Sequence, residues 1–176
     1  MGFDGIYSVY RKNKADNSYS KIAFFDKNGK ELSSIFPSRD HILNQMLLGH
    51  NRGGYDFESI GGGRGVPDWY TDILKKEHPD WFENAGGYDW TYNPNEGAYY
   101  DYLELKGWAT NPKCEHIDYF LSDTVDEDRE TDSENTPVIR RNPLKSFIEQ
   151  VNFYLEAYGI YYPMPGEIII VCEMSY

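Results

Sequence analysis

Cysteine is almost absent: the chain of 176 residues carries two, Cys114 and Cys172, far apart and without framework spacing. Two such residues cannot supply the dense cross-linking that small secreted domains use in place of a core. No Asn-x-Ser/Thr sequon occurs, and MGFDGIYSVY has neither the basic nor the apolar part of a secretory leader. No apolar stretch approaches the ~20 residues of a membrane span. These absences lead us to expect a soluble, cytoplasmic protein held together by burial. A globule of this length buries roughly 70% of its unfolded surface, enough for one sizeable core.

The signatures of familiar chemistry are missing as well. No Gly-Lys-Ser/Thr closes a glycine-rich loop, no H-E-x-x-H or paired Cys/His stands at zinc spacing, and no G-x-S-x-G elbow presents a serine. Those spacings matter because a lysine must reach a phosphate, two ligands must share one helix face, and a nucleophile must sit on a sharp turn. His41, His50, His78 and His116 are therefore read as structural. No catalytic residue, metal or cofactor is assigned. Acid pairs such as Asp101 with Glu104 say little in a chain with 29 acids.

Cations are also in short supply. Lys and Arg number 17 against 29 Asp and Glu, for a net charge of −12. The deficit is local: sixteen acids face three cations between Glu77 and Ile139, while the rest of the chain is close to neutral. Such a field repels nucleic acid and anionic membrane and attracts basic surfaces.

What the chain does have is aromatic residues, 16% of the total, including 16 tyrosines. FDGIYSVYR and SYSKIAFF read as strands, and Asn28-Gly29 as a hairpin turn in which both residues take positive φ, so residues 3–36 are expected to form a β-meander. Ser38 caps a helix whose apolar face is Ile42, Leu43, Met46 and Leu47, closed by Gly49. Pro67 opens a second helix with Trp69, Tyr70, Ile73 and Leu74 on one face, and Pro79 ends it with one further turn at PDWF. AYYDYLELKGWA is expected to be a strand with a bulge or at an edge, because its alternation is broken. HIDYFLS alternates cleanly and reads as another strand. Pro143 begins the clearest helix, with Leu144, Phe147, Ile148, Val151, Tyr154, Leu155 and Tyr158 at helical spacing, and Gly159 closes it. EIIIVCEM has consecutive apolar residues, as a central strand covered on both faces requires. We expect one α+β domain over residues 1–176, with a mostly antiparallel sheet packed by about three helices and an acidic loop at 123–137.

Two places invite a functional reading. GGGRG, residues 61–65, puts Gly61, Gly62, Gly63, Arg64 and Gly65 ahead of a helix. Backbone amides, a guanidinium and a helix N-terminus can together hold an anion, so one reading is an enzyme or sensor that binds a phosphorylated small molecule there. Against it, Asp56, Glu58 and Asp68 compete for the same donors, and the plainer reading is a connector. The second place is the acidic, tyrosine-rich half. Trp90, Tyr92, Tyr99, Tyr100 and Asp101, with Asp126, Glu127, Asp128, Glu130 and Asp132, combine rigid amphipathic rings with steering charge. The acids at alternate positions do not make an EF-hand, since Thr131 and Pro137 stand where that loop needs its glycine and its bidentate glutamate.

In size and charge the chain resembles phage-encoded inhibitors (DNA mimics, anti-restriction and anti-CRISPR proteins) and the immunity proteins of nuclease toxins. That resemblance implies a binding module without catalysis, whose partner is a basic, nucleic-acid-binding protein such as a nuclease.

Overall fold

The run Ile168–Cys172 has no polar residue, so both faces of any strand it forms must be covered. In the computed structural model, which describes residues 4–32, 41–49, 59–61, 64–83, 92–110 and 143–175, that run lies at the centre of the sheet. The elements are β1 (Asp4–Lys12), β2 (Tyr19–Lys21), α1 (His41–Leu48), α2 (Asp68–Glu77), β3 (Ala98–Asp101), α3 (Tyr102–Thr110), α4 (Pro143–Ala157) and β4 (Ile168–Ser175), with short 3-10 turns at Pro79–Trp81 and Pro94–Glu96. The strands pair antiparallel in the order β2-β1-β4-β3. The fold is α+β, and β4 joins β1 to β3.

Alternation along the strands sorts the core into two clusters. Tyr7, Val9, Ala98, Tyr100, Ile168, Ile170 and Cys172 face α1, α3 and α4, whose buried residues include Leu43, Met46, Leu47, Leu105, Leu144, Phe147, Val151 and Leu155. Tyr10, Ile169 and Val171 face the other way, onto Val66 and onto Tyr70 and Leu74 of α2. The Cys172 thiol is fully buried, and that burial pushes its pKa up, so it behaves as a small apolar side chain. Tyr7 and Phe147 meet with ring centroids 5.2 Å apart, which fixes α4 against β1. The Tyr7 hydroxyl donates to Asn44 Oδ1, so this fully buried amide of α1 is paired where apolar burial alone would penalise it.

α4 ends in a Schellman motif. The Ile160 N–H donates to Leu155 O at 2.8 Å and the Gly159 N–H to Glu156 O at 3.0 Å, with Gly159 at φ 91°. Ile160 is buried and completes the motif's apolar contact. Tyr158, expected on the apolar face, is 57% exposed because the helix has already reached its end there.

The structure corrects three expectations. The Asn28-Gly29 turn exists, but only Gly29 has positive φ (79°), because the Asp26 carboxylate accepts from the N–H groups of Asn28 (2.8 Å) and Lys30 (3.0 Å) and shapes the turn itself. Around it stands a single bridge, Phe25 to Glu31, so the described part of the expected third meander strand is no more than that. AYYDYLELKGWA is a four-residue edge strand that passes directly into α3. Asp101 makes the break: its Oδ1 accepts from the Leu103 N–H at 2.9 Å, an N-cap bond, and Tyr102, Leu105 and Ala109 then recur at helical spacing as buried residues. Pro67 is the N-cap of α2, in extended conformation, not its first helical residue. The expected strand at 116–122, the acidic loop at 123–137 and the cap Ser38 lie outside the described residues.

Candidate functional site

α2 ends because Pro79 has no N–H to donate and forces His78 out of helical geometry, to φ −135° and ψ 65°. The chain recovers with one 3-10 turn, in which the Trp81 N–H reaches His78 O at 3.0 Å and the Phe82 N–H reaches Pro79 O at 3.2 Å. That turn stacks the His78 imidazole on the Trp81 indole, 3.9 Å apart and 7° from parallel. A backbone bond from the Tyr92 N–H to Trp81 O (2.9 Å) brings in a third near-parallel ring, 6.4 Å from the indole, and Phe82 meets Tyr92 at 5.3 Å. Lys75 Nζ lies over the Phe82 ring at 5.5 Å. Four rings thus form a half-exposed platform. Glu77, Asp80 and Glu83 around it are exposed, as is Glu96 on the following 3-10 turn.

Beneath the platform sits Glu173 of β4. The hydroxyl of Tyr92 donates to its Oε1 at 2.7 Å, and that of Tyr70 donates to its Oε2. Two phenols on one carboxylate satisfy a half-buried charge from both sides. Desolvation raises the pKa of both phenols, and the field and hydrogen bonds of Glu173 raise them further. Tyr10, packed edge-on against Tyr70, is pushed up to about 12 by burial first and then by the charges of Glu173 and Glu77. The three phenols stay protonated at ordinary pH, as donors or apolar rings.

The glycine-rich loop leads to a different outcome. Arg64 NH1 pairs with Glu104 Oε1 at 2.7 Å, its Nε reaches Gly61 O at 3.3 Å, and its guanidinium carbon lies 5.0 Å above the Tyr100 ring. The anion that this guanidinium holds is a carboxylate of the same chain. Gly61 is packed so close to Tyr100 that a Cβ there would stand 2.7 Å from the ring. Gly65 is buried, with φ 72°, beside the carbonyl of Pro94. Gly62 and Gly63 lie outside the described residues.

Of the residues expected to meet a partner, Tyr92 and Tyr99 are half-buried members of the second cluster. Tyr100 corrects its expectation: it is 0% exposed and donates to Leu47 O at 2.6 Å, because on an edge strand alternation sends it inward between α1 and α3. Asp101 is structural, capping α3 with one oxygen and accepting from the Gly166 N–H at 2.6 Å with the other. Trp90, Asp126, Glu127, Asp128, Glu130 and Asp132 lie outside the described residues. The sequence reading missed Trp81, Phe82 and Glu173. A signal was there: EHPDWFE, residues 77–83, holds three acids and three rings with no cation.

Among the described residues, no group of three or more His, Cys, Asp or Glu side chains is arranged to hold a metal ion, and no helix is long and apolar enough to cross a membrane. Comparison of the chain with protein-family models, with characterised proteins and with solved structures gives no match.

Proposed function

We propose that this protein is a small cytoplasmic binding module that docks by an acidic, aromatic surface on the basic surface of a nucleic-acid-binding partner, such as a nuclease, and blocks it. The observation that carries this reading is the platform at the end of α2, where Trp81, Phe82 and Tyr92 are held by stacking and backbone bonds, with the exposed acids Glu77, Asp80 and Glu83 in the same segment and Glu96 on the following 3-10 turn. Indole and phenol rings anchor interfaces at low entropic cost, and the acidic excess of the chain, with Lys75 over the Phe82 ring as a local exception, speeds the encounter with a basic partner. The charge is not spent internally on Arg64 and Arg11, which already hold Glu104 and Glu167. The net excess of 12 negative charges therefore acts on the surroundings.

The test is a binding screen against purified basic nucleases and DNA-binding domains, followed by association kinetics at low and high salt. Asp80→Asn with Glu83→Gln is expected to slow association and to flatten its salt dependence. Trp81→Ala is expected to shorten the residence time. Binding that ignores both salt and the acids would sink the proposal, as would a nucleotide bound at micromolar affinity and lost in Arg64→Ala.

A further inference from the structure

Four large apolar side chains stand in the open within seven residues after α4. Tyr158 is 57% exposed, Tyr161 62%, Tyr162 94% and Met164 67%. Monomeric soluble proteins seldom leave such a cluster uncovered. The backbone that presents it is firmly held. Ile160 anchors one end through the Schellman motif, and at the other the Met164 N–H donates to Glu167 Oε2 at 2.9 Å while the Glu167 N–H returns to Met164 O at 3.0 Å. Asp101 accepts from the Gly166 N–H, the Tyr19 hydroxyl donates to Gly166 O at 3.0 Å, and Arg11 pairs with Glu167 at 3.2 Å. Polar groups hold the corner from below and the rings project outward, so little ordering remains to oppose a contact there.

We infer that this corner, Tyr158 to Met164, is the surface by which the chain pairs with a second copy of itself. Charge selects that occupant. Anionic membrane and nucleic acid are repelled by a net charge of −12. A basic protein is drawn to the acids near Trp81 in the chain, whereas the corner has charges of both signs at its base: Glu167 paired with Arg11, Lys14 within the field of Glu167, Asp101 on the Gly166 N–H, and Glu156 on the last turn of α4. Two acidic chains meet with less repulsion where cations stand among the acids, as Arg11 and Lys14 do here. A two-fold contact needs one patch that complements itself, and tyrosines do so, since each ring offers apolar area and each hydroxyl both donates and accepts.

This inference does not depend on the basic partner, and salt separates the two, because screening weakens attraction between opposite charges but relieves repulsion between like ones. Sedimentation velocity of the full chain over a range of concentrations, at low and high salt, is expected to show a dimer that tightens as salt rises. The double variant Tyr161→Ser, Tyr162→Ser is expected to raise the dimer Kd at least about tenfold with the melting temperature unchanged. If that variant melts early, Tyr162→Ser alone repeats the test on a ring that is 94% exposed. A chain that stays monomeric at high salt, or a dimer indifferent to these substitutions, overturns the inference.

Discussion

The two faces of the sheet are filled from the same strands with different chemistry. The face toward α1, α3 and α4 is mostly aliphatic: Leu43, Leu47, Leu105, Leu144, Val151, Ile168 and Ile170 are essentially without solvent contact. The face toward α2 is built of rings, with Tyr10, Tyr70, Trp69, Trp81 and Tyr92 around the carboxylate of Glu173. The first is held by close packing and fails when volume or charge is wrong. The second is held by phenol–carboxylate bonds and edge-on rings, and it fails when those phenols lose their protons. Large, rigid, half-exposed rings also make a surface that another protein can grip, whereas an aliphatic core offers none.

The widest gap between the faces should come from a charge in the aliphatic one. Phe147→Asp or Val151→Asp is expected to unfold the domain, because an unpaired buried carboxylate costs several kcal/mol against a total stability of about 5–15 kcal/mol. Loss of the far-ultraviolet circular dichroism in buffer would be the reading. A urea midpoint close to wild type would mean that α4 is not a core element.

Alkali should weaken the ring-built face through its phenols, and Tyr100 and Tyr102 on the aliphatic face, whose pKa values burial also raises, add to the same fall. Tyr10 has its folded pKa raised to about 12 from 10.0, so the folded state keeps a proton that the unfolded state gives up. That contribution is complete below pH 10 and declines as pH rises toward 12, by at most about 1.4 kcal/mol per pH unit for each such phenol. Tyr70 and Tyr92 are shifted the same way and extend the decline. Urea titrations at stepped pH, with phenolate absorbance as the second probe, should show stability level from about neutral pH to about pH 10 and falling above it. Tyr10→Phe should shallow the fall. Stability that holds level through pH 12 would remove the contrast.

A smaller effect tests the carboxylate directly. Tyr70→Phe and Tyr92→Phe each remove one hydrogen bond to Glu173, and each is expected to destabilise by about 1.5–3 kcal/mol, the range for bonds to a charged group. Because both phenols serve one carboxylate, the double variant should depart from additivity. Additive losses would show that the two bonds act independently.

The smallest effect belongs to Arg64→Ala. Its pair with Glu104 is partly exposed, so the loss should be about 0–1 kcal/mol, with little added by the rings beneath. Titration calorimetry with ATP and NAD is expected to detect nothing tighter than roughly millimolar in either protein.

Much of the fold was legible because local rules governed it. Five consecutive apolar residues required a strand covered on both faces, and β4 is that strand. Pro143, the heptad-like apolar stripe and Gly159 bounded α4, and Pro79 ended α2, since a missing N–H or a required positive φ acts within a few residues whatever the rest of the chain does. The ring platform was not legible, because Tyr92 meets Trp81 and Glu173 across 11 and 81 residues of chain. The burial of Tyr100 was likewise hidden, since a tyrosine on an edge strand looks the same whether helices cover it or not.

By itself, then, the sequence determined the α+β class, the central strand, the main helix and the charge excess, all of which follow from periodicity, backbone stereochemistry and counting. Tertiary structure alone decided that Arg64 pairs with Glu104, that Glu173 gathers two phenols, and that Trp81 is half-buried on the second cluster while Tyr162 stands in the open. The physical reason is that a side chain's role depends on what reaches it from distant positions, and pairing β1 with β4 brings the two ends of the chain together.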